Sequence, residues 1–223
     1  TTVGHDWAET EDKMAEKEHL IVGISGASGV VYGIRLLELL RDLPVETHLV
    51  MTRPAELVLA TESDLAPKDV RALADVTHPI GNIGAVISSG SFRTKGMVVA
   101  PCSMKSLAEI ATGMGSTLLA RAADVTLKER RRLVLIVRET PLHSGHLRNM
   151  LNVSDMGAVI APPVPAFYAK PESLNQMVDH TLGRILDLFG LESGTAQRWG
   201  EDKSDAVSGA DQDMGVVYDH RHT

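Results

Sequence analysis

Short apolar runs alternate with stretches of helical periodicity along this chain. Five runs lack the apolar–polar alternation of a half-exposed strand and are typical of buried parallel strands; they cover residues 19–24, 47–51, 97–100, 133–137 and 158–160. Helices are predicted after the first run through Leu43, at Pro54, and over residues 104–112, 146–151 and 174–189. Strands that alternate with helices predict one α/β domain, in which a mostly parallel sheet carries helices on both faces.

The composition adds a size and a compartment to this picture. With 223 residues, 43% of them apolar and 23% charged, the chain has the composition of a soluble globular protein and the length of one sizeable domain. No apolar run approaches the ~20 residues that span a bilayer, and the N-terminal segment lacks the features of a signal peptide. The single cysteine, Cys102, leaves no partner for an internal disulfide. These features predict a cytoplasmic protein that does not enter a membrane.

The net charge of −7 is concentrated at the two ends of the chain. Residues 1–18 carry six acids and two lysines, and residues 201–223 carry six acids, one lysine and one arginine, so each segment contributes −4. The remaining span therefore has a net charge of +1 and can accept an anionic ligand. We predict an acidic extension (1–18), a folded domain (19–200) and an acidic tail (201–223). The folded span has no basic stripe of the kind that binds nucleic acid.

Two turns that follow predicted strands have the composition of anion-binding sites. Residues 25–29, Ser-Gly-Ala-Ser-Gly, place glycines and the hydroxyl of Ser28 at the start of a helix, where free N–H groups attract phosphate. Residues 101–106 repeat the arrangement, with hydroxyls on Ser103 and Ser106 and a lysine between them. Ligands bind beyond the carboxyl ends of parallel strands, so the turns predict a site for a phosphorylated ligand. The alternative is a pair of tight connections without a ligand.

Other segments carry residues that can do chemistry, each with a simpler structural explanation. Arg138-Glu139 follows a predicted strand, where a carboxylate can transfer protons. The proline-rich loop 162–168 ends in two aromatic rings that either wall an apolar substrate or pack into the core. The charged stretch 121–132 and Arg184 are typical of solvated helix surfaces.

Cysteine and histidine contribute little chemistry to the predicted site. Cys102 is expected to be a small buried residue rather than a nucleophile. The nine histidines show no spacing typical of metal ligands. The sequence therefore predicts no metal.

In their order along the chain, these segments resemble the UbiX/Pad1-like flavin prenyltransferase family. The resemblance covers residues 19–199, all of the chain except its two acidic ends. The matching stretches are GISGASGVVYGIRLLELL, ETHLVM, ATESD, ISSGSF, GMVVAPCSMKSLAEIATG, LLARAADVTLKERRRLVLIVRETPLHSGHLRNM, GAVIAPPVPAFY and the RILD of the last helix. A match of this length and order is highly specific.

The resemblance implies a flavodoxin-like or Rossmann-like subunit that assembles into a homododecamer and holds FMN near subunit interfaces. Members of the family attach the dimethylallyl group of dimethylallyl phosphate to N5 of reduced FMN without a metal, and ring closure at C6 then gives prenylated FMN. The product serves a UbiD-type decarboxylase, for instance in ubiquinone synthesis or aromatic acid breakdown.

Residue roles follow from the resemblance by matching position. FMN contacts are implied for Gly26, Ala27, Ser28, Thr52, Ser103, Met104, Lys105, Ser106 and Arg138. A place around the dimethylallyl phosphate is implied for Glu62, Arg121, Lys128, Glu139, Tyr168 and Arg184. Catalytic roles are expected for Ser28, Glu62, Lys128, Glu139 and Tyr168. The cations suit the departing phosphate, and Glu139 is the expected proton carrier.

Two alternative functions share the predicted fold and the flavin. A flavin-dependent cysteine decarboxylase would need a catalytic histidine after the first helix and a PxMNxxMW-like motif, neither of which is evident in the sequence. A flavin-binding subunit of a decarboxylase would need no catalytic side chains. Glu62, Lys128, Glu139, Tyr168 and Arg184 argue against such a passive role.

Overall fold

Six parallel strands form one sheet in the computed structural model, which describes residues 17–196. The strands are β1 (Glu18–Ile24), β2 (Val45–Met51), β3 (Val76–His78), β4 (Gly96–Cys102), β5 (Arg132–Val137) and β6 (Val159–Ile160). Their order across the sheet is β3-β2-β1-β4-β5-β6, and every pairing is parallel. This is the strand order of dinucleotide-binding Rossmann domains.

Among the described residues, seven α-helices cover the two faces of the sheet: α1 (Val30–Leu40), α2 (Arg53–Glu62), α3 (Pro67–Arg71), α4 (Met104–Ala111), α5 (Leu118–Lys128), α6 (Ser144–Asp155) and α7 (Leu174–Asp187). One core joins the sheet to buried residues of α1, α2 and α7. The other joins it to α4, α5 and α6. The strands are apolar on both faces because both are covered, and the predicted α/β architecture is confirmed.

Chain order creates a switch point beside β1. The chain proceeds from β1 to β2 and β3 on one side, then returns to place β4 on the other side of β1. Crevices for ligands form at the carboxyl ends of strands where the order reverses in this way. Both turns predicted to bind anions, 25–29 and 101–106, follow these two central strands.

The predicted strands and helices lie within a few residues of the observed ones. The clearest difference is in β4, which continues through Pro101 and Cys102 with a cis Ala100–Pro101 bond and a shift of register against β5. Three elements were missed. β3 and α3 have three and five residues, too few to show a period. α5 lies in the charged stretch, yet eight of its eleven residues are buried.

Some sequence-based expectations concern parts of the chain beyond these elements. The predicted acidic segments, 1–18 and 201–223, lie almost wholly outside the described residues, so their boundaries stay predictions. Within residues 17–196, no helix is both long enough and apolar enough to cross a bilayer.

Gly33 allows α1 to lie close against β4. A Cβ at this position would come within 2.3 Å of the Ala100 carbonyl oxygen and 2.8 Å of Ile24 Cδ1. Gly33→Ala should therefore lower the free energy of unfolding by about 2 kcal/mol, because overpacking costs up to about 3 kcal/mol and alanine's better helix propensity returns about 1. Denaturant unfolding measures the change.

Gly81→Ala is the matched control, because a Cβ there meets no atom within 4 Å. It should change stability by less than about 0.5 kcal/mol. Equal effects at both positions would contradict the close contact between α1 and β4.

Candidate active site

The buried hydroxyl of Ser25 joins the two turns at the switch point. It donates to the Pro101 carbonyl at 2.9 Å and accepts from the Ser103 N–H at 2.7 Å. The Ser25 N–H also donates to the Pro101 carbonyl, at 3.2 Å. Ser25 is fully buried, and its hydroxyl both donates and accepts a hydrogen bond. It therefore fixes the distance between the turn after β1 and the turn after β4.

Three helices begin around one cavity of about 480 Å³ beside these turns. Each starts with a hydroxyl cap: Thr52 accepts from the N–H of Ala55, Ser103 from that of Ser106, and Thr117 from that of Ala120, at 3.2–3.3 Å. A hydroxyl that accepts such a bond still has its own proton to donate, which Ser103 gives to the Ser106 hydroxyl at 3.3 Å. The free N–H groups and dipoles of three helix starts favour an anion, and phosphate above all.

The cavity gathers seven of the residues predicted to bind flavin or act on it. They are Gly26, Thr52, Ser103, Met104, Lys105, Ser106 and Glu139. Lys105 extends to Glu109, whose carboxylate lies 2.7 Å from its ammonium. The remaining lining residues, which sequence reasoning missed, are Arg53, Pro54, Ile80, Glu109 and Thr117. Thr117 carried a usable signal, since a threonine before an apolar helical stretch is an N-cap pattern.

Gly26 is required by packing as well as by position. A Cβ there would lie 2.3 Å from Pro54 Cβ and 3.0 Å from the Pro54 carbonyl carbon. The turn after β1 therefore presses directly against the start of α2. Gly26 therefore makes room for Pro54. Its place on the cavity wall also agrees with the prediction that it lets a ligand approach the backbone.

Glu62, at the end of α2, caps the start of α1. Its Oε2 accepts from the N–H groups of Gly29 at 2.8 Å and Val30 at 3.1 Å. Burial by itself would raise the pKa of Glu62, but hydrogen bonds from Ser28, Gly29 and Val30 and the charge of Arg138 outweigh it, so the pKa is lowered. The structure thus brings together Ser28, Glu62 and Arg138, three of the predicted site residues.

Glu139 projects from the end of β5 into the mouth of the cavity. The N–H of Arg138 donates to the Cys102 carbonyl at 3.1 Å, which anchors the chain to the end of β4. Glu139 Oε1 accepts from the Thr140 N–H at 3.0 Å, and the residue is exposed. An exposed carboxylate at the rim can exchange protons with solvent and reach a ligand in the cavity.

Cys102 is excluded as the nucleophile by its surroundings. The residue has no exposed surface, and burial raises the pKa of its thiol to about 12. The reactive form of cysteine is the thiolate, which is scarce at such a pKa. The prediction of a small buried residue is confirmed.

Lys128 and Arg121 lie at opposite ends of α5. The helix runs antiparallel to the strands, so its first turn, with Arg121, is near the cavity. Its last residue, Lys128, lies at the amino ends of the strands, which we call the amino edge of the sheet. The eleven residues of the helix span about 16 Å between the carboxyl and amino ends of the strands. Arg121 pairs with Asp124 at 2.7 Å, and Lys128 pairs with Glu129. Within one subunit, Lys128 does not reach the cavity.

Tyr168 and Arg184 lie on the opposite face of the sheet from α4 and α5. The Tyr168 hydroxyl is 3.1 Å from Nε2 of His180, a buried residue of α7. Arg184 follows one helical turn later and is exposed. A single subunit therefore places Glu139 in the cavity lining and Glu62 at the start of α1, outside the lining, as Lys128, Tyr168 and Arg184 also are.

Comparison with known proteins agrees with the fold and the cavity. Residues 8–186 match the family model Flavoprotein. The chain is 57% identical over 180 residues to the flavin prenyltransferase UbiX of Neisseria meningitidis serogroup B. The aligned region covers 81% of this chain and 95% of the relative.

Two crystal structures extend the comparison. AnUbiX (PadA1) in complex with FMN and dimethylallyl pyrophosphate matches with a TM-score of 0.81 at 54% identity, covering 82% of this chain and 98% of the other. A dodecameric FMN-dependent UbiX-like decarboxylase from Escherichia coli O157:H7 matches with a TM-score of 0.79 at 52% identity, covering 81% and 98%.

A parallel sheet with phosphate-binding helix starts at its switch point, together with the family model, defines this chain as a flavoprotein. Within that class, it belongs to the UbiX/Pad1-like flavin prenyltransferase family. The predicted family, the flavodoxin-like or Rossmann-like fold, FMN as the flavin and prenyl transfer as the enzyme class are confirmed. The roles of individual residues stay predictions.

Glu62 makes a testable contribution to stability through its lowered pKa. A carboxyl whose pKa is lower in the folded chain stabilises it fully above the ordinary value of 4.5, and this contribution is lost as the pH falls through the folded-state pKa. Glu62→Gln should cost less than about 1 kcal/mol at neutral pH. The difference from wild type should shrink below pH 4.5 in denaturant unfolding measured across pH.

Asp64→Asn, at an exposed acid two residues later, serves as the control for loss of one negative charge. A Glu62→Gln deficit that persists unchanged in acid would mean that the capping bonds do not depend on the charge.

Proposed function

We propose that this chain transfers a dimethylallyl group from dimethylallyl phosphate to N5 of reduced FMN, followed by closure of a ring at C6. In the first step the bond from the allyl carbon to the phosphate oxygen breaks and a carbon–nitrogen bond forms. The N5 proton leaves as this bond forms. Ring closure then adds a proton to the allyl double bond, joins the carbon so activated to C6 and releases the C6 proton. The reduced flavin supplies the nucleophilic nitrogen and ring carbon for these steps.

The convergence of three helix starts on one cavity is the observation that carries the proposal. Thr52 and Ser106 offer hydroxyls to FMN phosphate or ring oxygens, and the N–H groups of the first helical turns offer further donors. Met104, Ile80 and Pro54 supply an apolar wall for a flat ring. Ser25 holds the two turns in place without competing for the ligand, because its hydroxyl is fully used.

Proton movement is assigned to Glu139. It is the carboxylate at the cavity whose hydrogen bond is to its neighbouring backbone N–H, at 3.0 Å. Glu109, the other acid in the lining, is 2.7 Å from the Lys105 ammonium and 2.8 Å from the Ser116 hydroxyl. Glu62 holds the start of α1. Glu139 is therefore the better placed of the three to accept a proton during ring closure.

Neutralisation of the departing phosphate is assigned to cations that a neighbouring subunit contributes. Lys128, Tyr168 and Arg184 are all exposed and lie away from the cavity of their own chain. Their placement fits a homododecamer in which each FMN lies near a subunit interface. The dodecameric relative from Escherichia coli and the relative with bound dimethylallyl pyrophosphate support this arrangement.

The product and its user complete the proposal. Prenylated FMN is released to a UbiD-type decarboxylase, and both proteins act in the cytoplasm. Anaerobic incubation of the protein with reduced FMN and dimethylallyl phosphate, followed by mass analysis of the flavin, tests the activity itself. Unmodified FMN as the only flavin recovered would overturn the proposal.

The role of Glu139 is tested by Glu139→Gln, which is nearly isosteric. The variant should bind FMN as wild type does, yet form prenylated flavin at least about a hundredfold more slowly, because loss of a general acid–base group costs ~10²–10⁴ in rate. Single-turnover kinetics with flavin occupancy measured in parallel checks both expectations. Tyr168→Phe is the milder comparison, because it removes a hydroxyl and keeps the ring.

A wild-type rate for Glu139→Gln at unchanged FMN occupancy would make Glu139 structural. The proton carrier would then be sought at Glu62, the other predicted carboxylate near the turn after β1.

If each active site is formed by two subunits, assemblies that mix two slow variants should regain activity. Glu139→Gln and Lys128→Met should each be slow alone, because each removes one group from every site. In assemblies co-expressed from equal amounts of both variants, roughly a quarter of the sites would combine an intact Glu139 with an intact Lys128 of another subunit. Activity should return to about that fraction, with light scattering to check the assembly. A site built within one chain would regain none.

A further inference from the structure

A second group of polar side chains lies at the amino edge of the sheet, away from the flavin cavity. His19 is the second residue of β1, and Glu46 and His48 lie on β2. Glu46 is paired directly with His19 in the register, and His48 lies two residues further along the same face. The distance from His19 to the carboxyl end of β1 is five residues, or roughly 16 Å.

The geometry points to a divalent-cation site of the zinc class formed by His19, Glu46 and His48. His19 Nδ1 lies 3.2 Å from Glu46 Oε1, and His48 Nε2 lies 3.0 Å from the same oxygen. One ligand atom from each of the three residues lies within 4.8 Å of the others. A tetrahedral ion with bonds of 2.0–2.1 Å holds its ligands about 3.3 Å apart, close to these distances.

The His19 ring has an unused nitrogen at this point. Its Nδ1 is buried and makes no hydrogen bond within the described part of the chain, although Glu46 Oε1 is at hydrogen-bonding distance. The distance between His19 Nδ1 and Glu46 Oε1 is short enough for a hydrogen bond, but the relative orientation of the two groups does not allow one. Buried nitrogens are normally paired. An ion between the three side chains would give His19 Nδ1 a partner.

A neighbouring histidine supplies the support that metal ligands usually have. His48 Nδ1 is 2.9 Å from Nε2 of His78 on β3. When His48 binds an ion through Nε2, its Nδ1 carries the proton and donates to His78, which fixes the tautomer and the ring.

The surroundings leave one side of the group open. Phe92 packs on the His19 ring, with ring centroids 4.6 Å apart, and covers the His48 ring at 5.1 Å. His19 also lines a cavity of about 450 Å³ together with residues 91–95. Two imidazoles and a carboxylate with an open fourth position form a common zinc ligand set, and imidazole nitrogens disfavour magnesium.

Zinc binding to the full-length protein tests the site. Titration calorimetry with Zn²⁺ alone should show one equivalent that His19→Gln weakens by at least about 100-fold, since even outer-shell changes cost about 10–100-fold. His78→Gln should cost about 10-fold. Histidines outside the described residues are present in every variant, so their binding cancels in the comparison. His143→Gln, at a stacked histidine pair elsewhere, should change nothing.

Two further measurements keep the result independent of folding. FMN affinity should be the same in His19→Gln and wild type, because the flavin cavity is at the other edge of the sheet. Zn²⁺-soaked wild-type crystals should give an anomalous peak at the zinc edge between His19, Glu46 and His48. Equal zinc affinity in wild type and His19→Gln, or no peak at this position, would overturn the proposal.

Discussion

The hydrogen bonds of Ser25 hold together the part of the molecule on which the function depends. One buried hydroxyl bridges the turns after β1 and β4, the two strands on either side of the switch point. The helix starts after these turns then keep a fixed distance from each other. Loss of that bridge would leave the part-buried Ser103 N–H unpaired and the Pro101 carbonyl with the Ser25 N–H alone, which is more costly than the bond itself is stabilising. The cavity wall is thus anchored to the packed core through Ser25.

Two glycines and a proline determine how closely α1 and α2 pack around the turn after β1. Gly33 lets α1 approach β4, and Gly26 lets the first turn meet Pro54 at the start of α2. Glu62 then closes the sequence of contacts, because it reaches from the end of α2 back to the start of α1. Elements that are 30 residues apart in the chain are locked at the same edge. A ligand that binds there finds its donors already oriented, with little ordering left to do on binding.

The two edges of the sheet have different chemistry. The carboxyl edge gathers helix starts, hydroxyls and an exposed carboxylate, which suit a phosphorylated flavin. The amino edge gathers three histidines and a glutamate beneath Phe92, which suit a metal ion. The last residue of α5, Lys128, also lies at the amino edge because the helix runs against the strands. A subunit can therefore present Lys128 to a neighbour while its own cavity remains about 16 Å away.

The sequence by itself determined the buried strands, the helix starts at Pro54 and Met104, the burial of Cys102 and the family. These features depend on residues a few positions apart, so periodicity and composition are enough to reveal them. Only the tertiary structure decided that Thr117 joins the cavity, that Lys128 leaves it, and that His19 meets Glu46 and His48. Those outcomes depend on strand register and helix direction, which bring together residues far apart in the chain and leave no spacing pattern for sequence analysis to detect.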